Sequence, residues 1–197
     1  AIRGSTGWQL TLAAIGRSAA WTGTFYATHF PNFCPQPRAD QEVMVGREPG
    51  AESEGFLCLN ICTPGTGGKP CPVILWIHGG ELIQDSANLY DGTTLARNND
   101  IVLVSINYCL RIFGFLDVGR WGPKYAGSAN RGYEDHIAAL AWATRTVRAR
   151  MRKNYERRMA WCDFLRFCYG ATANRVRTGI TTCVLNKLQN YCILSLT

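Results

Sequence analysis

The sequence predicts an α/β domain built on a parallel sheet, and three observations carry that expectation. Val73-Ile-Leu-Trp-Ile77 is a short unbroken apolar run, the pattern of a strand covered on both faces. Ile101-Val-Leu-Val-Ser-Ile-Asn-Tyr108 is a second and stronger run of the same kind. The connection between them is about twenty residues, long enough for the helix that joins parallel neighbours.

Taken in order, residues 1–20 carry little pattern, although Trp8 to Ile15 suit a short strand or helix. Residues 21–37 shift to aromatics and prolines, and Pro31, Pro35 and Pro37 preclude a regular helix there. Residues 38–52 are polar and read as a surface loop. Ser53 to Cys62 alternates in a strand-like way, with Phe56, Cys58 and Asn60 on one face and Leu57, Leu59 and Ile61 on the other. A Gly- and Pro-rich turn over residues 63–70 then leads into the first apolar run. After it, Ser86 or Asn88 is placed to cap a short helix reaching Leu95. Asn130 to Val147 repeats Ile137, Leu140, Ala141 and Thr144 at spacings of three and four, a helical period. Beyond Val147 the pattern decays, and from Asn174 no clear period is left.

The totals narrow the function classes. The chain has 197 residues, 47% hydrophobic and 18% charged, which is a globular composition with enough length for a real core. No stretch approaches the roughly 20 apolar residues of a membrane span. The opening at Ala1, without Met or a signal peptide, suits a processed product or a fragment. Arg145, Arg148, Arg150, Arg152, Lys153, Arg157 and Arg158 supply most of the net charge of +7. Such a run can attract phosphates or anionic lipid, but it lacks the interleaved aromatics of a single-strand platform, so nucleic-acid binding is a minor reading. Nine cysteines are many for this length, and the odd number leaves at least one unpaired within the chain. Cys58 and Cys62 have no second ligand pair at zinc spacing, so no metal site is expected, and an oxidising compartment is plausible.

The chemical interest centres on His78-Gly79-Gly80-Glu81. Glycines at the end of a buried strand let backbone N–H groups approach a ligand, which is how an oxyanion hole is made. From the glycine pair alone, a plain strand-to-loop turn is the favoured reading. Histidines 29, 78 and 136 with Asp91 or Asp135 do not assemble into a triad on sequence grounds, and His78 has no nucleophile partner.

Several motifs nevertheless fall in one order. They are Trp21-x-Gly23, Ala27-Thr28-x-Phe30, Cys34-Pro35-Gln36, Ser53-Glu54-x-x-Leu57-x-Leu59-Asn60, Thr63-Pro64 and Pro72-Val-Ile-Leu-Trp-Ile-His-Gly-Gly80. They continue with Tyr90-Asp91-Gly92-x-x-Leu95-Ala96, Val104-Ser-Ile-Asn-Tyr108-x-Leu110 and Phe113-Gly-Phe-Leu116. Asn130-x-Gly132-x-x-Asp135 and Ala139-Leu140-x-Trp142 close the set. Together they resemble the type B carboxylesterase and cholinesterase family of α/β-hydrolases over about residues 21–147. The resemblance implies a partial α/β-hydrolase fold, the N-terminal strands and helices of a mixed, mostly parallel sheet. Residues 1–20 would precede it, and residues 148–197 would form a basic, then irregular tail that does not match the family.

What the resemblance implies for chemistry is cleavage of carboxylic esters by a Ser nucleophile, through an acyl-enzyme and an oxyanion hole, with no cofactor. The oxyanion triplet falls on Gly79, Gly80 and Glu81, with a carboxylate at the third place. His78, Asn107, Tyr108 and Asp135 fall on structural motif positions. The family's Gly-x-Ser-x-Gly elbow occurs nowhere in the chain. The nearest echo, residues 167–174, puts Gly170 in the Ser slot, and its Cys168 and Thr172 read as ordinary core or loop residues. The family's acid and His lie beyond the matched part. Cys109 stands where the family has an Arg that pairs with the acid matching Asp135, which leaves that carboxylate unpaired at a cost, or protonated, unless Arg111 takes over. The family's first disulfide points to Cys34, with Cys58 as its displaced partner. A secreted, ER-lumen or cell-surface location is implied, and the whole suggests a truncated or degenerate, inactive copy. The alternative is a cholinesterase-like adhesion module that binds a protein partner.

Overall fold

A computed structural model describes residues 26–37, 50–65, 71–150, 180–186 and 191–196, the last two segments and residues 147–150 through their backbone alone. The segment 1–20, Trp21 and Gly23, most of the 38–52 loop, the basic run beyond Arg150 and the echo at 167–174 lie outside the described residues.

Five strands form one sheet in the order β1-β3-β2-β5-β4. They are β1 (Leu59–Cys62), β2 (Val73–Ile77), β3 (Val102–Ile106), β4 (Ile180–Asn186) and β5 (Tyr191–Leu196). β2 and β3 are parallel, with Val73 opposite Val102 and Ile77 opposite Ile106. The other three pairs are antiparallel. The expected mixed sheet is present, but its parallel share is smaller than the two apolar runs suggested. β4 and β5 form an antiparallel pair where the sequence showed no period. Their register is set by the neighbour, since β5 lies along β2 from Val73↔Leu196 to Ile77↔Cys192, and such pairing is not encoded in a local pattern.

β3 is buried at all five positions, which explains its continuous apolar run. β2 instead alternates, with Val73, Leu75 and Ile77 buried and Ile74 and Trp76 half-covered. The Ser53–Cys62 expectation shrinks to β1: Glu54 and Gly55 form a turn, and Phe56 enters the core at 0% exposure without strand pairing.

The helices are α1 (Thr93–Asn99), α2 (Arg111–Phe115) and α3 (Arg131–Arg150). The helix expected from Ser86 through Leu95 is two pieces. Ser86 does cap the first, a short 3-10 turn over Ala87–Leu89, its side chain accepting the Asn88 N–H at 3.1 Å. Asp91 then starts α1 by accepting the Thr93 N–H at 3.0 Å. α1 ends where Asp100 takes a left-handed conformation with its N–H on Ala96 O. α3 matches the expected 130–147 helix and runs three residues further. Its buried stripe is Asp135, His136, Ala139, Leu140 and Ala143, spaced one, three and four apart, and it packs on the core of β2 and β3.

One backbone unit ties these elements together. Asp135 in α3 accepts the Cys109 N–H at 2.8 Å, just past β3. Gly114 in α2 and Gly132 in α3 both approach the Cys109 carbonyl, at which an added Cβ would stand 2.2 and 2.7 Å away. The turn after β3 is thus clamped by both following helices, which fixes it relative to the end of β2.

Candidate oxyanion loop

The end of β2 delivers His78, Gly79 and Gly80 into the interior, where all three are buried. Gly80 has φ +80°, and a Cβ there would meet the Gln84 carbonyl oxygen at 2.1 Å, so glycine is required on two counts. Its carbonyl accepts from Ile83 N–H at 2.9 Å and Gln84 N–H at 3.1 Å, closing a tight turn. Among the described residues, neither Gly79 nor Gly80 donates its N–H to an acceptor within the protein. Two donors therefore stand at the end of a buried strand, the arrangement an oxyanion site needs.

The other face of this turn is fixed by an aromatic stack. The Tyr108 ring lies on His78 with centroids 4.5 Å apart and planes 23° from parallel. Its hydroxyl donates toward the carbonyls of His78 and Gly79, at 3.2 and 3.5 Å. His136 of α3 meets Tyr108 edge-on at 4.4 Å. A peptide carbonyl and the N–H of the same unit point oppositely. Holding the Gly79 carbonyl toward Tyr108 therefore turns the Gly80 N–H away from it. Burial pushes the Tyr108 phenol up and both imidazoles down, His136 to about 3, so the three rings are neutral near pH 7. His78 Nδ1 lies 3.2 Å from Gly79 O, and its buried, stacked position suits loop shaping better than proton transfer to substrate.

Glu81 is exposed, so the carboxylate feared at the third position is on the solvent side of the loop. Its backbone is less comfortable, since Glu81 and Leu82 hold φ values of +58° and +65°. Side chains other than Gly lose stability in that region. Glu81→Gly is expected to raise unfolding stability by about 0.5–1 kcal/mol. The measurement is a urea midpoint shift at unchanged slope, and a midpoint that stays put or falls would refute it.

Asn107 joins the segments around the loop. Its Oδ1 accepts the Ser86 hydroxyl at 3.1 Å and the Ala87 N–H at 2.9 Å, while its Nδ2 donates to Asn32 O at 3.2 Å. The sequence missed a second bracket. Gln36 accepts the Asp85 N–H and donates to the Asp85 carbonyl at 3.0 Å, and Asp85 itself holds the Tyr90 hydroxyl and the Ser86 N–H, each at 2.6 Å. Gln36 lies in a quoted motif, but nothing local distinguishes Asp85 from a loop aspartate.

The structure separates other candidates. His29 is exposed, and Asp91 is spent on capping α1, so neither joins His78. Asp135 is buried, and desolvation raises its carboxyl to about 7. Arg111 does not take over its charge: the residue is exposed, and the guanidinium that lowers the Asp135 carboxyl most is that of Arg131, the weakest influence on it. Arg131 is itself committed to Glu134 at 2.6 Å and Ala126 O at 2.8 Å. Cys34 and Cys58 are buried thiols with no disulfide between them, donating to Pro35 O at 3.8 Å and Gly55 O at 3.9 Å, and burial pushes Cys34 up to about 12. Among the described residues, no group of three His, Cys, Asp or Glu side chains is arranged to hold a metal ion.

Known proteins are similar to this chain. Residues 14–149 match the model of the carboxylesterase family. The para-nitrobenzyl esterase of Bacillus subtilis (strain 168) is 37% identical over 131 residues, covering 66% of this chain and 26% of that protein. The cocaine esterase of Oryctolagus cuniculus is 38% identical over 135 residues, covering 65% and 25%. The solved carboxylesterase EST55 of Geobacillus stearothermophilus superposes with a TM-score of 0.60 at 37% identity, covering 69% of this chain and 27% of that one. The chain thus spans about a quarter of the length of these relatives. With the strand, the glycine turn and its bracing residues in place, and a family match over most of its length, this chain belongs to the carboxylesterase family.

Proposed function

We propose that the chain carries the oxyanion-loop portion of a carboxylic ester hydrolase, with Gly79, Gly80 and Glu81 as the hole's backbone donors, and that this polypeptide by itself does not turn over esters. The observation that carries the reading is the buried Gly79-Gly80 turn, with two uncommitted N–H donors, in a sequence holding no Gly-x-Ser-x-Gly. Donors alone stabilise a tetrahedral intermediate but cannot form one. An acyl-enzyme needs an activated nucleophile with its base. The sheet supports the same view. On the side of β2 away from the parallel β3, the neighbour is β5, which runs antiparallel to β2, so its start rather than its end lies near the glycine turn on that side. A strand-to-helix elbow needs the end of a strand there.

The substrate class, for a polypeptide that also holds the missing groups, is a carboxylic ester. The relatives reported above are named as esterases, which favours the hydrolase lineage over an adhesion module. A truncated or degenerate copy, and residence in the secretory pathway, belong to the same proposal. The test is turnover of a p-nitrophenyl ester by the purified chain. The expected rate is that of buffer, unchanged by an organophosphate. Organophosphate-sensitive turnover would falsify the reading.

A further inference from the structure

The Asp135 carboxylate is buried in the core with few donors around it. It is 6% exposed, its Oδ2 accepts the Cys109 N–H, and the Cys109 thiol is its second hydrogen-bond donor. A carboxylate has about four acceptor positions to satisfy. The same side chain lines a cavity of about 50 Å³ between the start of β1, the end of β3 and α3. The rest of the lining includes Leu57, Leu59, Ile106, Ala139 and Asn107. Roughly 10–15 Å³ of such space holds one water, so this one accommodates a solute of about four heavy atoms.

We infer that this cavity is a binding site for a small planar organic cation, a guanidinium or amidinium compound, held by the Asp135 carboxylate. Charge selects a cation, because a buried carboxylate without a counter-ion is costly and gains most from a charge-assisted pair. The largely apolar walls select against a divalent metal, which needs six or more oxygens or a full set of N and S ligands. They also select against a strongly hydrated ammonium. A guanidinium is weakly hydrated, flat, and presents paired donors that match a carboxylate. Neighbouring charges leave the place open. Arg131 is held by Glu134, which together with the Cys34 and Cys109 thiols faces the Asp135 region from α3 and the adjoining loops; Cys58 lines the cavity itself.

The test is thermal unfolding of the full chain at pH 8, with guanidinium chloride at 0–20 mM against sodium chloride of equal ionic strength. A saturable rise in melting temperature with guanidinium alone is expected. It should vanish at pH 5, where the carboxyl is protonated, and in Asp135→Asn. Ala139→Leu, which fills the cavity but keeps the carboxylate, should also abolish it. Cys109→Arg, which supplies an internal guanidinium next to Asp135, should raise the starting melting temperature and remove the response. No rise in the wild type, or an equal rise in Asp135→Asn, overturns the inference. Should a variant fail to fold, ligand-observed NMR of ¹³C-guanidinium with the wild type replaces it. Saturable broadening at pH 8 that is lost at pH 5 supports the site, and its absence at pH 8 overturns it.

Discussion

Gly114→Ala is expected to destabilise the protein by about 3 kcal/mol, although alanine is the better helix former by about 1 kcal/mol. The added Cβ would sit 2.2 Å from the Cys109 carbonyl oxygen and 2.7 Å from its carbon. Backbone atoms held by two helices and a strand cannot step aside, so α2 must move as a body. Gly92→Ala is the informative comparison. Its Cβ would come as close, 2.1 Å, but to the tip of the Leu103 side chain, which can rotate. About 1 kcal/mol is expected there. Urea unfolding of both variants measures the difference, and equal losses would show that the Cys109 turn is not the rigid clamp described.

Stability of the wild type should fall between roughly pH 6 and pH 4, and substitutions at two buried sites should change that slope in opposite directions. The signs follow from which state binds the proton. His78 and His136 have folded values below their ordinary 6.5, His136 near 3, so as pH falls below 6.5 the unfolded chain takes up protons at both sites more readily than the folded one. Stability from these groups is present above 6.5 and lost as pH falls. Asp135 works the other way, its folded value raised from 3.8 to about 7. Its contribution is full below 3.8 and lost as pH rises through 7. Two groups favour the unfolded state as pH falls and one favours the folded state, which leaves a net loss of stability toward acid. Asp135→Asn should steepen the slope, because nothing then offsets the histidines. It should also stabilise the protein at pH 8 by a few kcal/mol, since the amide oxygen still accepts the Cys109 N–H without a charge. His136→Phe should flatten the profile. Unfolding free energies at half-unit intervals from pH 4.5 to 8 decide the matter. An Asp135→Asn profile parallel to the wild type would mean that the carboxyl is not buried as described.

How much of this was legible beforehand depended on the range of the forces involved. Val73–Ile77 and Ile101–Tyr108 announced strands because burial on both faces writes itself into consecutive residues, and the helix near 130–147 did so through its period. The glycine turn was legible for the same local reason: positive φ at Gly80 demands a particular residue. The motifs added ancestry, and the family match bears that out. Asp85 and its bracket by Gln36 were invisible, since those residues are 49 apart in the chain and meet only in the fold.

The sequence by itself determined that a buried strand ends in a glycine turn, that the matched part belongs to an esterase lineage, and that no Gly-x-Ser-x-Gly accompanies it. Each rests on residue type and local spacing. The tertiary structure alone decided that β5 lies antiparallel beside β2, that Glu81 faces solvent, and that Asp135 is buried while Arg131 is committed to Glu134. Those outcomes depend on which distant segments exclude water from one another, and no stretch of the chain records that by itself.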